Sequence, residues 1–447
     1  MIRTIFFILI AAMAMAAAAQ DAVPDATQAG VPEAAPAAFF IERIEVRNIK
    51  RVSSEVVIAE SRLRAGQAYT EEQLRDASTR LSRLPFLLSV DFALEKGSER
   101  GQHVLVLNVV ETKPFFYLLD FRPIFSGDRF PIPVYIDYSD RLGSSDTNAV
   151  LGFRWFVGPR GAFHSAVTTQ DDHRNFSDDY STVTAGYTQY DLFGTRAFAT
   201  LNVKYPLNGY AQGAITPELV VGVPISPNQT VTLKAEETHL DSEYTASAVV
   251  FKDGTYILHT VDVTGKSTAR TFSTRWAYNT TNHPFLPTRG TFVSVTPLFF
   301  SSDASTQHVF FDSETEEFIV TPATWHARTV ALEAEIAQYW ESSERDSWSV
   351  GVKGGLSEGS SRSTPDDLFD LEVPERDDHF GIIYGGWSHS LWSRERQRQG
   401  DSRIEVNGRY SNRSDYYHDE INGIQLSASW VRRSSWGTLR LGAGYAW

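Results

Sequence analysis

A two-residue alternation, running segment after segment from about Pro131 to the last residue, most constrains what this chain can fold into. "RIEVNGRYS" sets Ile404, Val406 and Tyr410 against Arg403, Glu405, Asn407 and Arg409. "GIQLSASW" sets Ile424, Leu426, Ala428 and Trp430 against Gln425, Ser427 and Ser429. "AFATLNVKYP" does the same with Leu201, Val203 and Tyr205 against Thr200, Asn202 and Lys204, and "WSVGVKGGL" with Trp348, Val350 and Val352 against Ser349 and Lys353. Side chains on a strand point to opposite faces in turn, so each segment has one apolar face and one polar face that carries full charges. A soluble sandwich also alternates. Strands that often run about ten residues, with aromatics towards their ends, instead suit tilted crossings of a bilayer and its interfacial girdles. The expected fold is therefore mainly β: a transmembrane antiparallel β-barrel with a polar lumen.

The composition agrees and excludes other classes. Aromatic residues make up 13% of the chain and glycine is plentiful at 30 residues, a mixture that suits strands and turns. With no cysteine, neither a disulfide framework nor a thiolate metal site can form. A net charge of -14 argues against nucleic acid as a partner. No apolar stretch beyond the N-terminus reaches the roughly 20 residues of a membrane-spanning helix.

Connection lengths set the expected orientation. Short ones fall at "VGPRG", "FGTR", "SPNQ", "HPFLPTRG", "SSERD", "SRERQRQG" and "RRSSWG"; long ones fall near residues 242–266, 302–324 and 358–378. Barrels of this kind place short turns in the periplasm and long loops outside. Counting from Pro131 gives about 15 strands, the last running outward. Taking "FFYLLDFRPIF" as an extra first strand gives roughly 16, the even count usual for bacterial barrels, and roughly 16 is the expectation adopted.

Ahead of the barrel the chain has three parts. Residues 1–19 read as a cleaved signal peptide: Arg3, then the apolar "TIFFILIAAMAMA", then small residues up to Ala19. An anchoring helix is the other reading of that stretch. Residues 20–38 form a Pro/Ala linker. Residues 39–113 give a strand, a short helix capped by Ser53 or Ser54, a longer helix with a Thr70–Gln73 capping box, and two strands. The barrel then occupies residues 114–447.

The order of elements in residues 39–113, with "GQAYTEEQL" before the second helix and "RLSRLPFLLSV" from its end, resembles a POTRA module. Gly66, Tyr69, Leu74, Arg80, Leu81, Phe86 and Val90 carry the match. Two barrel features add to it: the turn Pro287-Thr288-Arg289-Gly290, and the ending "RLGAGYAW", with Arg440, Gly442, Tyr445 and Trp447. Together they resemble the POTRA-plus-barrel outer-membrane assembly factors and two-partner-secretion transporters, the BamA/TamA-like surface-antigen family. The resemblance implies one POTRA domain in the periplasm and a barrel in the bacterial outer membrane. It implies outer-membrane lipid, client or secreted proteins, and periplasmic chaperones or helpers as partners. It also implies a candidate edge at residues 86–95 that receives client chains by β-augmentation, and a last strand read during assembly, with Tyr445 and Trp447 facing lipid. Two departures mark a divergent member. There is one module where related assembly factors have several, and the Arg-Gly-aromatic motif of the family's lumen loop is missing from 358–378. Arg160-Gly161 instead sits in an early short turn.

No catalytic, metal or cofactor set emerges. Ser388 and His389 are adjacent on a strand and so face opposite ways, and the pairs Asp366-Asp367 and Asp377-Asp378 read as solvated loop charge. The chain is expected not to be an enzyme. The leading function is insertion of proteins into the outer membrane through a weak seam between first and last strands, to which Gly442 and Gly444 would contribute. The alternative is a secretion pore for a partner protein, with Lys204, Arg403, Glu405, Arg409 and Arg440 lining the passage. A passive channel is the third reading.

Overall fold

A computed structural model describes residues 38–446, except 83, 85, 122–123, 127–147, 159, 171–179, 196, 208–213, 227, 253–254, 284–285, 313–316, 365–375, 394–399 and 415–419. The leader, residues 20–37 of the linker, residues 127–147 (which include Pro131), Asp366-Asp367 and Trp447 lie outside the described residues.

The N-terminal domain runs β1 (Ala38–Arg47), α1 (Ser54–Ser61), β2 (Gln67–Thr70), α2 (Glu71–Ser82), β3 (Leu87–Lys96) and β4 (Gln102–Glu111). The short β2 was not expected. Its sheet order is β2-β1-β4-β3, with β1 and β4 parallel. Local chemistry sets the helix starts. Ser53 caps α1 by accepting from the Glu55 N–H at 3.2 Å. The Thr70 N–H donates to Gln73 Oε1 at 2.9 Å, and the Gln73 N–H returns to Thr70 Oγ1 at 3.3 Å, a closed capping box. A register shift between Ile41 and Arg43 explains why the β1 apolar positions read 41, 44 and 46. Ile41, Val56, Val57, Leu74, Leu81 and Leu105 are almost fully buried in one core, each worth about 1.5–3 kcal/mol of transfer free energy.

The second sheet begins with β5 (Phe115–Phe121) and β6 (Ile124–Ser126), then β7 (Asn148–Val157), β8 (Gly161–Gln170), β9 (Tyr180–Leu192), β10 (Ala197–Pro206) and β11 (Thr216–Ser226). Next come β12 (Gln229–Lys252), β13 (Thr255–Asn279), β14 (Gly290–Asp312), β15 (Glu317–Glu341) and β16 (Asp346–Thr364). β17 (Arg376–Ser390), β18 (Asp401–Ser414), β19 (Glu420–Ser434) and β20 (Gly437–Ala446) complete it. Each strand from β7 on pairs antiparallel with its successor, and β20 returns to β5 and β6. The sheet has 16 strands. β5 and β6 are two pieces of one wall position, so the barrel closes with 15. The closing pair is parallel, the one departure from an antiparallel wall.

The outward face shows where lipid would sit. Trp340, Trp348 and Trp387 stand in register across β15–β17, and Phe272, Phe299 and Val330 across β13–β15. Ten residues separate the two rows on β15. That is about 33 Å of strand, or about 25 Å of height at the usual tilt, which is the apolar band of an outer-membrane barrel. One row beyond Val330 the outward positions become Glu237, Arg270 and Arg328.

The expected long loops are corrected. Residues 242–266 and 302–324 belong to continuous hairpins, β12–β13 and β14–β15, whose strands run 23 to 25 residues. β16 likewise extends to Thr364 and β17 starts at Arg376. Past the lipid an apolar face is no longer required, but backbone pairing still is. The ladder therefore continues unbroken to Lys252↔Thr255, through polar rows and then a tip where Val249 and Leu258 are exposed.

Candidate functional site: the closing seam

Both strands of the seam leave the same end of the barrel, the end that carries the N-terminal domain, so they can meet only in parallel. Five pairs run from Gly437↔Tyr117 to Leu441↔Phe121, and three more from Gly444↔Ile124 to Ala446↔Ser126. The two pieces keep one register, from Gly437↔Tyr117 to Ala446↔Ser126. The antiparallel ladders of the wall range from six pairs at β5–β7 to 24 at β12–β13, so direction rather than length sets the seam apart. Gly442 fits the close packing that its size also allows. A Cβ there would meet Ser429 on β19 at 2.6 Å, so this glycine serves close packing with the preceding strand.

A clasp holds the foot of the seam. The Lys113 N–H donates to the Ser435 carbonyl at 2.6 Å and the Tyr117 N–H to Trp436 at 2.9 Å, both on the β19–β20 turn. The Arg154 N–H reaches the Pro114 carbonyl at 2.8 Å. On the lumen side Arg440 contacts Asp120 on β5 and Glu405 on β18, each at 3.1 Å, so one guanidinium spans the junction.

The N-terminal domain docks against the same end. Phe86 packs edge-on against Phe156 at 5.0 Å and Tyr190 at 5.6 Å, from the β7 and β9 ends. Arg160, in the β7–β8 turn, pairs with Glu55 of α1 at 3.1 Å and with Asp191 at 3.3 Å. Arg62 donates to the Ser226 carbonyl in the β11–β12 turn, and Arg433 of β19 donates to the Leu88 carbonyl of β3 at 2.6 Å. Short turns thus gather at the domain's end, as loop length implied. β3 is an edge of the small sheet and pairs only with β4.

The other sequence-predicted residues fall into place separately. Leu74, Leu81, Phe86 and Val90 are core residues. The Gly66 N–H donates to the Ile41 carbonyl at 2.7 Å, and the Tyr69 hydroxyl accepts from the Arg64 N–H at 2.7 Å. The Pro287–Gly290 turn closes on Asn282, whose Oδ1 accepts from the Thr288 N–H at 2.9 Å and the Arg289 N–H at 3.3 Å. The Thr288 hydroxyl donates to Glu341 at 2.6 Å. A side chain at Gly290 would overlap the Thr280 carbonyl, and its φ of +105° suits glycine alone. His283 and Leu286 of this connection are buried. Burial, then the charges of Arg433 and Arg403, hold the His283 imidazole well below its usual range.

The lumen face carries the expected charges in paired form. Glu218 meets Lys204 at 2.7 Å and Lys234 at 2.8 Å, and Glu236 meets Lys234 at 2.6 Å. Arg403 holds Asp401. Tyr445 lies on the same alternate row of β20 as the exposed Leu441, at the end remote from the N-terminal domain. Ser388 and His389 have unrelated partners, Ser347 at 2.7 Å and Asp346 at 2.8 Å. Sequence reading missed Phe156, Arg160, Asp120 and Arg433. The misplaced Arg160-Gly161 pair was the available signal for the docking turn.

A family model described as the Omp85 superfamily domain matches residues 163–369. No curated protein matches the chain. Among solved structures, the chain is similar to BamA from Haemophilus ducreyi lacking POTRA domains 1–3, at 11% identity, covering 92% of this chain and 85% of that one with a TM-score of 0.38. It is similar to CdiB from Escherichia coli at 12% identity, covering 92% and 73%, TM-score 0.39. It is also similar to the ferric-catecholate import receptor Fiu from E. coli, at 9% identity, covering 78% and 64%, TM-score 0.36.

Proposed function

We propose that this chain, whose residues 163–369 match the Omp85 superfamily domain in the middle of its barrel, inserts proteins into the bacterial outer membrane through its seam. An Omp85 barrel has a general role in outer-membrane insertion or secretion. The finer reading rests on one observation, the parallel ladder by which β20 meets β5 and β6. Parting it exposes two strand edges whose N–H and C=O groups need partners, and an incoming client strand supplies them.

In this reading the N-terminal domain is a POTRA module in the periplasm. Its β3 edge receives clients, passed on by periplasmic chaperones or helpers, and Arg433 links that edge to β19 beside the seam. The turn at 287–290 and the last strand, with Arg440, Gly442, Tyr445 and Trp447, serve barrel closure and recognition during assembly.

The alternative, a secretion pore, draws on the charged lumen around Lys204, Glu218 and Lys234. A seam lock separates the two. The chain has no cysteine, so Leu119→Cys with Leu439→Cys, partners in register, gives one defined disulfide. Oxidation that stops the appearance of new outer-membrane barrels, and recovers on reduction, supports the seam. Continued insertion with the seam locked refutes it, and loss of one secreted protein alone assigns the lumen.

A further inference from the structure

Below the foot of β5, between the N-terminal domain and the barrel wall, lies a cleft of about 280 Å³ used by neither seam nor lumen. Val52, Phe86, Pro114, Trp155 and Phe156 make its apolar floor. Lys50, Arg51 and Lys113 make a cationic rim, and all three side chains are exposed. Arg51 meets Glu111 at 3.3 Å, whereas among the described residues Lys50 and Lys113 meet no carboxylate. Lys113 stands 5.5 Å over the ring of Trp436. Arg154 of β7 lines the cleft as well, so four cations surround it while Arg51 alone of the rim meets a carboxylate.

The surroundings select the ligand. Trp155 is 55% exposed and stacks on Phe153 at 6.1 Å. Both lie on the outward face of β7, which continues to Leu151, and Phe115 is in register with Phe153. The cleft thus opens sideways onto the lipid-facing wall at the level where that wall ends. A water-soluble anion has no use for such a wall, whereas an amphiphile needs it. The volume falls just below the roughly 300–1,000 Å³ of ordinary small-molecule sites, as suits a headgroup whose tails remain outside.

We infer that this cleft binds the phosphate headgroup of an anionic phospholipid in the leaflet on the side of the N-terminal domain. The rim cations take the phosphate, and the acyl chains lie along Phe153, Leu151 and Phe115. The inference rests on the membrane orientation proposed above. It places a lipid beside the Lys113–Ser435 clasp, where its presence or loss acts on the foot of the seam.

Native mass spectrometry of the full chain in detergent tests it, with phosphatidylglycerol, phosphatidylcholine and inorganic phosphate as probes. Phosphatidylglycerol is expected to stay bound in preference to phosphatidylcholine. The triple variant Lys50→Gln, Arg51→Gln, Lys113→Gln is expected to lower its affinity about ten-fold or more, from roughly five-fold per cation near a membrane surface and a share of Arg51 already taken by Glu111. Removing the same charge elsewhere on the domain (Arg64→Gln, Lys96→Gln, Arg100→Gln) should leave it unchanged. Equal retention of the two lipids, equal loss in both triple variants, or displacement by millimolar inorganic phosphate would each overturn the proposal. Heat-modifiable gel migration reports folding, and Lys50→Gln alone, with a drop of about five-fold, serves if the triple variant misfolds. No client is needed for this readout, so it stands or fails apart from the insertion reading.

Discussion

Gly437 is the point at which the seam is most open to a single change. Its φ is +144°, and a Cβ built there would overlap the carbonyl oxygen of Tyr117 across the seam. In Gly437→Ala the two strands must part at this position. The Tyr117 N–H bond to Trp436, now 2.9 Å, is lost together with the adjoining rung, at about 0.5–1.5 kcal/mol each. Backbone strain adds about 1–3 kcal/mol. The total of about 2–6 kcal/mol falls on the first rung of the parallel ladder, Gly437↔Tyr117. Even its lower bound raises the open population about thirty-fold, since 1.4 kcal/mol is tenfold. Hydrogen exchange of the intact protein, resolved to peptides, should show β5, β6 and β20 exchanging faster while β12–β15 stay protected. Gly290→Ala is the matched control: its φ is +105° and a Cβ would overlap the Thr280 carbonyl, on the β13–β14 connection away from the seam. Faster exchange in β5 and β20 from both variants, or from neither, would refute the view that the seam opens as a separate unit.

Docking of the N-terminal domain should depend on aromatic packing far more than on charge. Phe156→Ala is expected to free the domain, read as faster proteolysis of the 112–114 linker, while Arg160→Ala changes it little, because its pair with the exposed Glu55 is worth about 0–1 kcal/mol. Glu111 supplies an acid limit. Burial pushes its carboxyl up, but the N–H groups of Arg51, Val52 and Lys50 outweigh this and hold it below the usual carboxylate range. Its contribution is therefore complete above the unfolded-state pKa and is lost as pH falls through the lower folded value. Exchange protection of β1 and β4 should drop over that window, and Glu111→Gln should remove the pH dependence. Epitope tags after Trp447 and between Lys252 and Thr255 should be reached by antibody from one side of the membrane, and a tag in the 97–101 turn from the other. Grouping of the C-terminal tag with the 97–101 tag would contradict the parallel closure.

The parts of the fold set by short-range chemistry were legible in the sequence. The Thr70–Gln73 box, the core positions Leu74 and Leu81, and the alternation of Ile404 and Val406 with Arg403 and Glu405 each follow from a spacing within one element, and each stands in the structure. What escaped depended on partners far away in the chain. Nothing in their own strands marks Phe156 and Tyr190 as docking residues until Phe86 is brought against them. The β12–β13 and β14–β15 arms read as loops because, past Glu237 and Arg270, no lipid asks their outward faces to be apolar.

Parity shows the same limit most sharply, because no local residue pattern encodes it. A wall built of successive antiparallel neighbours reverses direction at every step, so an even number of strands closes antiparallel and an odd number closes parallel. The five-residue run Tyr117–Phe121 beside Gly437–Leu441 in one direction therefore requires the odd count. That count sends β20 away from the N-terminal domain, which puts Tyr445 at the far rim and Arg440 where it reaches both Asp120 and Glu405. A parallel ladder is also slightly weaker per residue than an antiparallel one. The odd number, the parallel closure and the end of β20 at the far rim are then a single geometric fact.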